Sequence, residues 1–241
     1  LQHGHGRGRL ASRFQVLTGM LEKPALAVLN LLLASEDWAR CKLVPFAGKT
    51  ARLQMGSGVV FLVSITEEAF MPIAYGGGIS TLDEVKKLFK MGFEKIIINT
   101  AAYRDMDLIR SAVSIFGTQS IVAAVDVKTP KHGLHELYSC SGRKKEHVSL
   151  DDHLVRLIDA GVGEILINSI DRDGTMQGYD LALLREVSQK VDVPVIACGG
   201  AGGIGHLAEA VGQGGVSAVA AGSLFVFIGP HRAVLINYPE R

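Results

Sequence analysis

Two 26-residue stretches of this chain align with each other without a gap when one is shifted by 123 residues. YGGGISTLDEVKKLFKMGFEKIIINT begins at Tyr75, and CGGAGGIGHLAEAVGQGGVSAVAAGS begins at Cys198. Each copy runs from a strand end through a glycine loop, a helix, another glycine and a second strand to a small polar residue, Thr100 or Ser223. Because the shift is about half the chain length, the repeat predicts two half-barrels of four βα units each.

Short apolar runs alternate with helical patterns from about residue 69 onward. Apolar strands of this kind are typical of a parallel sheet covered by helices on both faces. Six such units leave room for two more in the first 70 residues, so the pattern favours a barrel over an open doubly wound sheet. We predict an α/β fold, a (βα)8 TIM barrel built from two half-barrel repeats, with the first βα units atypical or incomplete. The predicted strands are Pro72–Gly77, Lys95–Thr100, Ile121–Lys128, Glu164–Ile170, Pro194–Gly200 and Ala218–Ser223. The predicted helices are Thr81–Met91, Arg104–Phe116, Leu150–Ala160, Asp180–Lys190 and Ile204–Gln213.

Residues 1–62 do not follow this alternation. They hold eight Lys or Arg against three Asp or Glu, although the whole chain has a net charge of only +1. The apolar run Pro24–Ala34 is too short to span a bilayer, and a core helix or a non-native leader explains it better than a secretion signal. We therefore predict an atypical N-terminal segment over 1–62 and a barrel domain over 63–241.

Composition limits the partners and cofactors that can be expected. A chain that is 48% hydrophobic with a net charge of +1 is not disordered as a whole, and it does not bind nucleic acid through bulk positive charge. Its three cysteines are scattered, and its histidines, His132 and His135 included, lack metal-ligand spacing. We expect a cytoplasmic protein with no metal, no cofactor and no membrane partner.

Two glycine loops each follow a strand and precede a helix. They are Gly76–Gly78 and Gly199–Gly202. Glycine lets the backbone approach a ligand and point N–H groups at an anion. The following strands end in Asn99–Thr100 and Gly222–Ser223, whose small polar groups could complete each pocket. The pattern predicts a substrate with a phosphate at each end, lying across the barrel mouth. The alternative is that the glycines only permit tight βα turns.

Aspartates at strand ends are the candidate acid–base groups. Asp126 ends an otherwise apolar strand, where a carboxylate costs free energy unless it is solvated or paired. General acid–base catalysis is therefore expected of Asp126. The segment SIDRDGT adds Asp171 and Asp173, although DRDG also fits an Asx turn followed by a glycine with positive φ. In the loop after the Asp126 strand, HELYSCSG predicts a small inserted hairpin.

A resemblance to a known family rests on the segments AVDVK, YSCSGRKK, GEILINSIDRDGTMQGYD, VPVIACGGAGG and AVAAGSLF. They resemble the cyclase subunit of imidazole glycerol phosphate synthase. The segments EEAFMPIAYGGGI and GPHRAVLINYP are closer to a sister branch, the cyclase-like glycosyl amidation-associated protein of surface-polysaccharide gene clusters. The resemblance covers about residues 66–239. It implies a lyase barrel docked on a glutaminase subunit, whose ammonia passes through the barrel to a phosphorylated substrate.

The resemblance also implies roles for individual residues. Asp126 matches one of the family's two acid–base aspartates, and Asp173 matches a substrate-site aspartate. Lys95 and Glu164 match charged residues that ring the ammonia entrance. The matched phosphate ligands are Gly78, Asn99 and Thr100 for one pocket and Gly200, Gly202, Gly222 and Ser223 for the other. The matched substrate contacts are Ser141 and Asn168, and the family's usual residue at the latter position is Thr.

Two elements of the family pattern are missing from the sequence, namely the first strand with its aspartate and the second strand, a FLDIT-like segment. The first strand of the family carries the other catalytic aspartate in a pattern like CLDVKDG. Subtracting the repeat shift from Asp126 leads to His3, and no Asp or Glu precedes Glu22. We therefore expect poor cyclase activity. Three alternatives stay open: a glutaminase partner that supplies ammonia for sugar amidation, a sugar-phosphate isomerase barrel, and a catalytically impaired remnant.

Overall fold

Six parallel strands form a curled sheet in which spatial order follows chain order. The computed structural model describes residues 72–130, 134–228 and 233–234. The strand order is β1 (Ala74–Gly76), β2 (Lys95–Ile98), β3 (Ile121–Lys128), β6 (Glu164–Ser169), β7 (Val195–Cys198) and β8 (Ala218–Val219). Helices connect successive parallel strands, as βαβ geometry requires. This arrangement confirms the predicted α/β TIM barrel. The 1–62 segment and the first βα units lie outside the described residues, so the domain boundary stays a prediction.

Four of the five predicted helices agree with the structure to within one residue at either end, the one over 104–116 is divided, and two short helices, Thr100–Arg104 and Ser223–Val226, were not predicted. The helices are α1 (Leu82–Lys90), α2 (Thr100–Arg104), α3 (Met106–Phe116), α4 (Leu150–Asp159), α5 (Leu181–Lys190), α6 (Ile204–Gly212) and α7 (Ser223–Val226), with a 3-10 turn at Thr118–Ser120. The predicted helix over 104–116 is divided at Asp105, whose Oδ1 accepts the N–H groups of Asp107 and Leu108. Asp105 therefore caps α3 and separates it from α2. In the described part of the chain, no helix has the length and apolar character needed to span a bilayer.

An antiparallel hairpin extends the sheet at β3, as the sequence predicts. It consists of β4 (Glu136–Ser139) and β5 (Lys144–Glu146). Tyr138 of β4 is the register partner of Asp126 at the carboxyl end of β3. A separate two-stranded ribbon pairs β9 (Phe227–Ile228) with β10 (Ala233–Val234). The hairpin thus adds a wall beside the carboxyl ends of the barrel strands, where Asp126 lies.

The buried apolar residues divide into two layers because successive strand residues face opposite sides of the sheet. The larger layer lies between the sheet and the helices and takes Ile121, Ala123 and Val125 from β3. The smaller layer takes the intervening Val122 and Ala124, and it forms the lumen of the barrel. Its remaining buried members are Ile97, Leu166 and Cys198. The lumen is therefore apolar at mid-height.

Candidate active site

The first predicted phosphate pocket is a cavity of about 300 Å³ at the carboxyl ends of β1, β2 and β3. Gly78, Asn99 and Thr100 line it together with Asp126 and Ser141. The structure therefore brings five of the predicted site residues into one cavity. Nδ2 of Asn99 is buried and has no hydrogen-bond partner among the described residues. A buried donor of this kind needs an acceptor, and an anion in the cavity would provide one.

The second predicted pocket is a narrow cleft of about 10 Å³ at the carboxyl ends of β7 and β8. Asp173, Gly200, Gly222 and Ser223 line this cleft. Gly202 belongs to the same loop, but its N–H donates to Nδ1 of His206 at 3.1 Å. The two cavities lie at repeat-related strand ends, but Gly202 is not among the residues that line the second one, and its amide already has a partner.

Packing explains why two residues of the second loop are glycine. Gly200 has a φ of +104°, and a Cβ there would lie 2.2 Å from the carbonyl oxygen of Gly178. A Cβ on Gly202 would lie 2.0 Å from the carbonyl oxygen of Met176. Gly78 differs, because its φ is +68° but nothing lies within 4 Å of the Cβ position. Close backbone packing thus accounts for Gly200 and Gly202 without a ligand, whereas no such packing explains Gly78.

Asp126 is a buried carboxyl with one defined partner. Its side chain is on the lumen side of β3, and the residue is 5% exposed. Nδ2 of Asn168, its register partner on β6, donates to Oδ1 at 3.1 Å. Burial raises the pKa of Asp126 to about 6, and the Asn168 hydrogen bond opposes that rise. A carboxyl that titrates near neutral pH is suited to general acid–base catalysis.

The two aspartates of SIDRDGT have different surroundings. Asp171 accepts the Ser169 hydroxyl at 3.0 Å and the Thr129 N–H at 3.4 Å, so it holds the loop to its neighbours. Asp173 lines the second cleft instead. The N–H of Asp173 donates to the carbonyl oxygen of Ser169 at 2.9 Å, and Gly174 follows with a φ of +74°. DRDG therefore forms a turn with the predicted positive φ at its glycine, and of the two aspartates Asp173 lines the cleft.

Lys95 and Glu164 lie at the opposite end of the barrel from both pockets. They begin β2 and β6, the two strands that flank β3, and their side chains form a hydrogen-bonded ion pair. Both residues share strand parity with lumen residues, Lys95 with Ile97 and Glu164 with Leu166. The predicted entrance pair is therefore a closed ion pair below the apolar middle of the lumen.

Two arginines and a cysteine of the first cavity are among the lining residues that were not singled out from the sequence. Arg104 ends α2, whereas Cys140 and Arg143 belong to the tip of the β4–β5 hairpin, and all three line the cavity. Cys140 and Ser141 have φ values of +54° and +59°, which is uncommon for residues other than glycine. The basic run GRKK beside SCSG indicates positive charge in this segment of the sequence. The fold of the hairpin tip determines that Arg143 of this run lines the cavity.

A stacked aromatic pair also lies close to the site. The rings of Tyr103 and His153 are 4.1 Å apart and within 8° of parallel. Oη of Tyr103 and Nε2 of His153 have no hydrogen-bond partner among the described residues. His153 is 1% exposed, and burial lowers its pKa to about 4. His153 is therefore neutral at physiological pH.

Histidines do not assemble a metal site in the part of the chain that the structure describes. His135 contacts Thr129 at 3.2 Å and Glu186 at 3.1 Å, so it bridges a loop to α5. His132 lies outside the described residues. Across residues 72–130 and 134–228, no group of three or more His, Cys, Asp or Glu side chains could hold a metal ion.

Comparison with known proteins identifies the family. The family model described as "Histidine biosynthesis protein" matches residues 50–229. A Pseudomonas aeruginosa protein provisionally named imidazole glycerol phosphate synthase subunit hisF2 is 48% identical over 190 residues, which are 79% of this chain and 76% of the relative. Provisionally named HisF subunits from Leptospira borgpetersenii and Leptospira interrogans are 40% and 43% identical over 177 and 178 residues, 73% of this chain and 70% of each relative. The chain belongs to the histidine biosynthesis protein family and to its HisF-type cyclase group.

Proposed function

We propose that this protein is the cyclase-type subunit of a glutamine amidotransferase that resembles imidazole glycerol phosphate synthase. Its substrate would be a ribulosyl aminoimidazole carboxamide bisphosphate. Ammonia from a glutaminase partner would convert it to imidazole glycerol phosphate and the aminoimidazole carboxamide ribotide, with release of water. The observation that carries the proposal is the shared cavity of Asp126 and the Gly78, Asn99 and Thr100 pocket. A proton-transfer group there stands beside a site for a phosphate.

The two aspartates that the proposal uses both influence Cys198 at the carboxyl end of β7. Burial, followed by the charges of Asp173 and Asp126, raises the pKa of the Cys198 thiol. Asp126 lines the first cavity and Asp173 the second. Asp126 would move protons at the reacting carbons. Asp173 is the candidate for the second acid–base group, because the family's first-strand aspartate has no counterpart in the sequence pattern.

The lumen supports a route for ammonia from the amino end of the barrel. The Lys95–Glu164 ion pair lies at that end, and the apolar middle layer separates it from Asp126 and Asn168. Neutral ammonia crosses an apolar layer at far lower cost than an ion does. We propose that a glutaminase subunit docks at the amino end and that the ion pair must open before ammonia enters.

Ammonium-driven turnover tests the proposed function. The full chain is given the bisphosphate with an ammonium salt, and the two products are measured by chromatography. We expect slow but detectable turnover because only one of the family's paired aspartates is recognisable. The Asp159→Asn variant, which removes an exposed carboxylate on α4, serves as the matched control. Absence of product at all substrate concentrations, with phosphate binding intact, would contradict the cyclase function.

A second candidate function follows from Asn168. The amide of Asn168 occupies one oxygen of Asp126, where the family usually places the shorter Thr. A chain of this kind could activate a glutaminase and pass ammonia on to a sugar-modifying enzyme without performing the cyclase reaction. In a reconstituted complex, glutamine hydrolysis that this chain stimulates without any product from the bisphosphate would favour this function. Failure of both assays would favour an impaired remnant.

A further inference from the structure

The Asn168 side chain uses only one end of its amide within the described part of the chain. Nδ2 donates to Oδ1 of Asp126 at 3.1 Å, whereas Oδ1 of Asn168 is buried and has no hydrogen-bond partner among the described residues. An ionised carboxylate only accepts hydrogen bonds, so Nδ2 faces Asp126 and Oδ1 faces the other way. Asn168 is 2% exposed, and an acceptor buried this deeply needs a donor. A ligand that completes the site therefore brings an N–H or O–H group to Oδ1.

Oδ1 of Asn168 faces strand β7. It lies 3.0 Å from the position that a Cβ on Gly199 would occupy, and Cys198 is the register partner of Asn168 on β7. Cys198 and Gly199 line the second cleft, whereas Asp126 lines the first cavity. The amide therefore stands between the cavity and the cleft, with its unpartnered acceptor on the side away from Asp126.

Strand β6 carries three successive residues that face the lumen. Glu164, Leu166 and Asn168 alternate with Ile165 and Ile167, which belong to the layer between the sheet and the helices. Glu164 belongs to the ion pair at the amino end, and Leu166 belongs to the apolar layer. Asn168 follows Leu166 about 7 Å further along the same face of the strand. On β6, Oδ1 of Asn168 is therefore the first side-chain acceptor beyond the apolar layer.

The chemistry of the acceptor limits the groups that can bind to it. Phosphate oxygens are themselves acceptors, so the two phosphates of the proposed substrate do not satisfy Oδ1 of Asn168. Asp126 and Asp173 would attract an ammonium ion, but Arg104 and Arg143, which line the first cavity together with Asp126, would repel it. An ion also crosses an apolar layer at far greater cost than a neutral molecule does. A small neutral donor fits the position best, and ammonia is such a donor.

We propose that Oδ1 of Asn168 binds ammonia where it leaves the apolar part of the lumen. Ammonia donates one N–H to Oδ1 and keeps its lone pair for the substrate. The same amide holds Asp126 through Nδ2, so Asn168 places the nucleophile beside the acid–base group. This inference rests on the proposed function, because it takes the lumen to be the route of ammonia.

Nuclear magnetic resonance of the full chain with ¹⁵N-labelled asparagine side chains tests the inference by binding alone. The Asn168 amide resonance is identified by its absence from the spectrum of Asn168→Leu, and Asn168→Thr serves the same purpose if the Leu variant does not fold. Ammonium chloride is titrated at about pH 9 and about pH 7, with potassium chloride at equal concentration as the control for ionic strength. Asp126 is ionised at both, because its pKa is about 6. We expect a saturable shift at the higher pH, where more of the ammonia is neutral, and a much smaller shift at the lower pH.

Ammonium-driven turnover provides a second readout. Asn168→Leu should raise the KM for ammonia about three- to tenfold, as the loss of one hydrogen bond predicts, and the KM for the bisphosphate less than about twofold. The acidic limb of its pH profile should move to higher pH, because the Asn168 hydrogen bond opposes the rise in the pKa of Asp126. Asp159→Asn is the control and should change neither KM. An equal rise in both KM values would make Asn168 a contact of the bisphosphate and would overturn the inference.

The outcomes separate this inference from the proposed function. If the bisphosphate moves the Asn168 resonance and ammonia does not, the donor is a substrate group and the inference is refuted. Equal shifts at both pH values would show that the ammonium ion binds beside Asp126, which also refutes it. No response to either ligand would leave Oδ1 to an ordered water, with the same consequence. A saturable ammonia shift without any product would support the ammonia site and contradict the cyclase function.

Discussion

Nδ2 of Asn168 lies 3.1 Å from Oδ1 of Asp126, and this hydrogen bond joins the carboxyl ends of β3 and β6. The donor stabilises the ionised carboxylate, whereas burial destabilises it, and burial is the larger effect because the pKa rises to about 6. Two opposing contributions therefore decide the protonation state of Asp126, namely its burial and the hydrogen bond from the Asn168 side chain.

Replacing Asp126 with Asn should remove most ammonium-driven turnover while leaving phosphate binding intact. One acid–base group contributes typically about 10²–10⁴-fold to a rate, and Asn cannot transfer protons in its place. Product formation is compared with that of the Asp159→Asn control, and phosphate binding is followed by titration. Turnover of Asp126→Asn equal to that of the control would show that another group, Asp173 included, performs the proton transfer.

The pH dependence of stability should contain two opposing contributions between about pH 4 and 6. Asp126 has a pKa of about 6 when folded against an ordinary value of 3.8, so it stabilises the fold at low pH and loses that contribution as the pH rises through 6. His153 has a folded pKa of about 4 against 6.5, so it stabilises the fold above pH 6.5 and loses that contribution as the pH falls through 4. Each amounts to roughly 3 kcal/mol, so the two nearly cancel.

Two variants should expose these contributions separately. Relative to the original chain, Asp126→Asn should become steadily more stable as the pH rises from 4 to 6. His153→Phe, which keeps a ring against Tyr103, should show the opposite trend over the same interval. Urea unfolding followed by circular dichroism at half-unit pH steps measures both. Identical pH profiles for the original chain and both variants would contradict the burial argument.

Breaking the Lys95–Glu164 ion pair should uncouple glutamine hydrolysis from product formation. Lys95→Ala or Glu164→Ala alters only the amino end of the barrel, so phosphate binding and ammonium-driven turnover should stay within about twofold of the original chain. Glutamine-driven turnover with the glutaminase partner should fall. The charge-reversed double variant, Lys95→Glu with Glu164→Lys, tests whether the pair or its orientation matters. An equal loss of turnover in the ammonium-driven and glutamine-driven assays would show instead that these residues stabilise the barrel.

Gly202→Ala should destabilise the fold far more than Gly203→Ala. A Cβ at Gly202 would lie 2.0 Å from the carbonyl oxygen of Met176, whereas nothing lies within 4 Å of the corresponding position at Gly203. Forced backbone shifts of this kind cost about 1–3 kcal/mol or more. Ala at Gly203, the N-cap of α6, should cost under about 1 kcal/mol. Urea unfolding of the paired variants decides the matter, and equal free energies of unfolding would contradict the packing explanation for Gly202.

The regular elements could be predicted because their sequence signals are local. Strand β3 is a run of apolar residues with Asp126 near its carboxyl end, and α1 begins at a capping box formed by Thr81 and Glu84. The short helices α2 and α7 were not predicted, because four or five residues are too few to show a helical period. The division at Asp105 does have a sequence signal. Asp105 stands two residues before Asp107, in the positions of an N-cap and of an acidic residue in the first helical turn.

The composition of the first cavity could be predicted only in part. Gly78, Asn99, Thr100 and Asp126 stand at strand ends, and parallel strands bring such ends together. Arg143 depends instead on the backbone at the hairpin tip, where Cys140 and Ser141 take positive φ values that their side chains disfavour. The hydrogen bond between Cys140 and Thr100 joins residues far apart in the chain. Such a contact leaves no periodic pattern in the sequence.

The pairing of β3 on both edges determines which parts of the site can move. At Asp126, β6 lies on one side and β4 on the other, so backbone amides there should exchange with deuterium only when the sheet opens as a unit. The hairpin tip at residues 140–143 has no such flanking strands. Backbone amides of the tip should therefore exchange faster than those of β3 around Asp126.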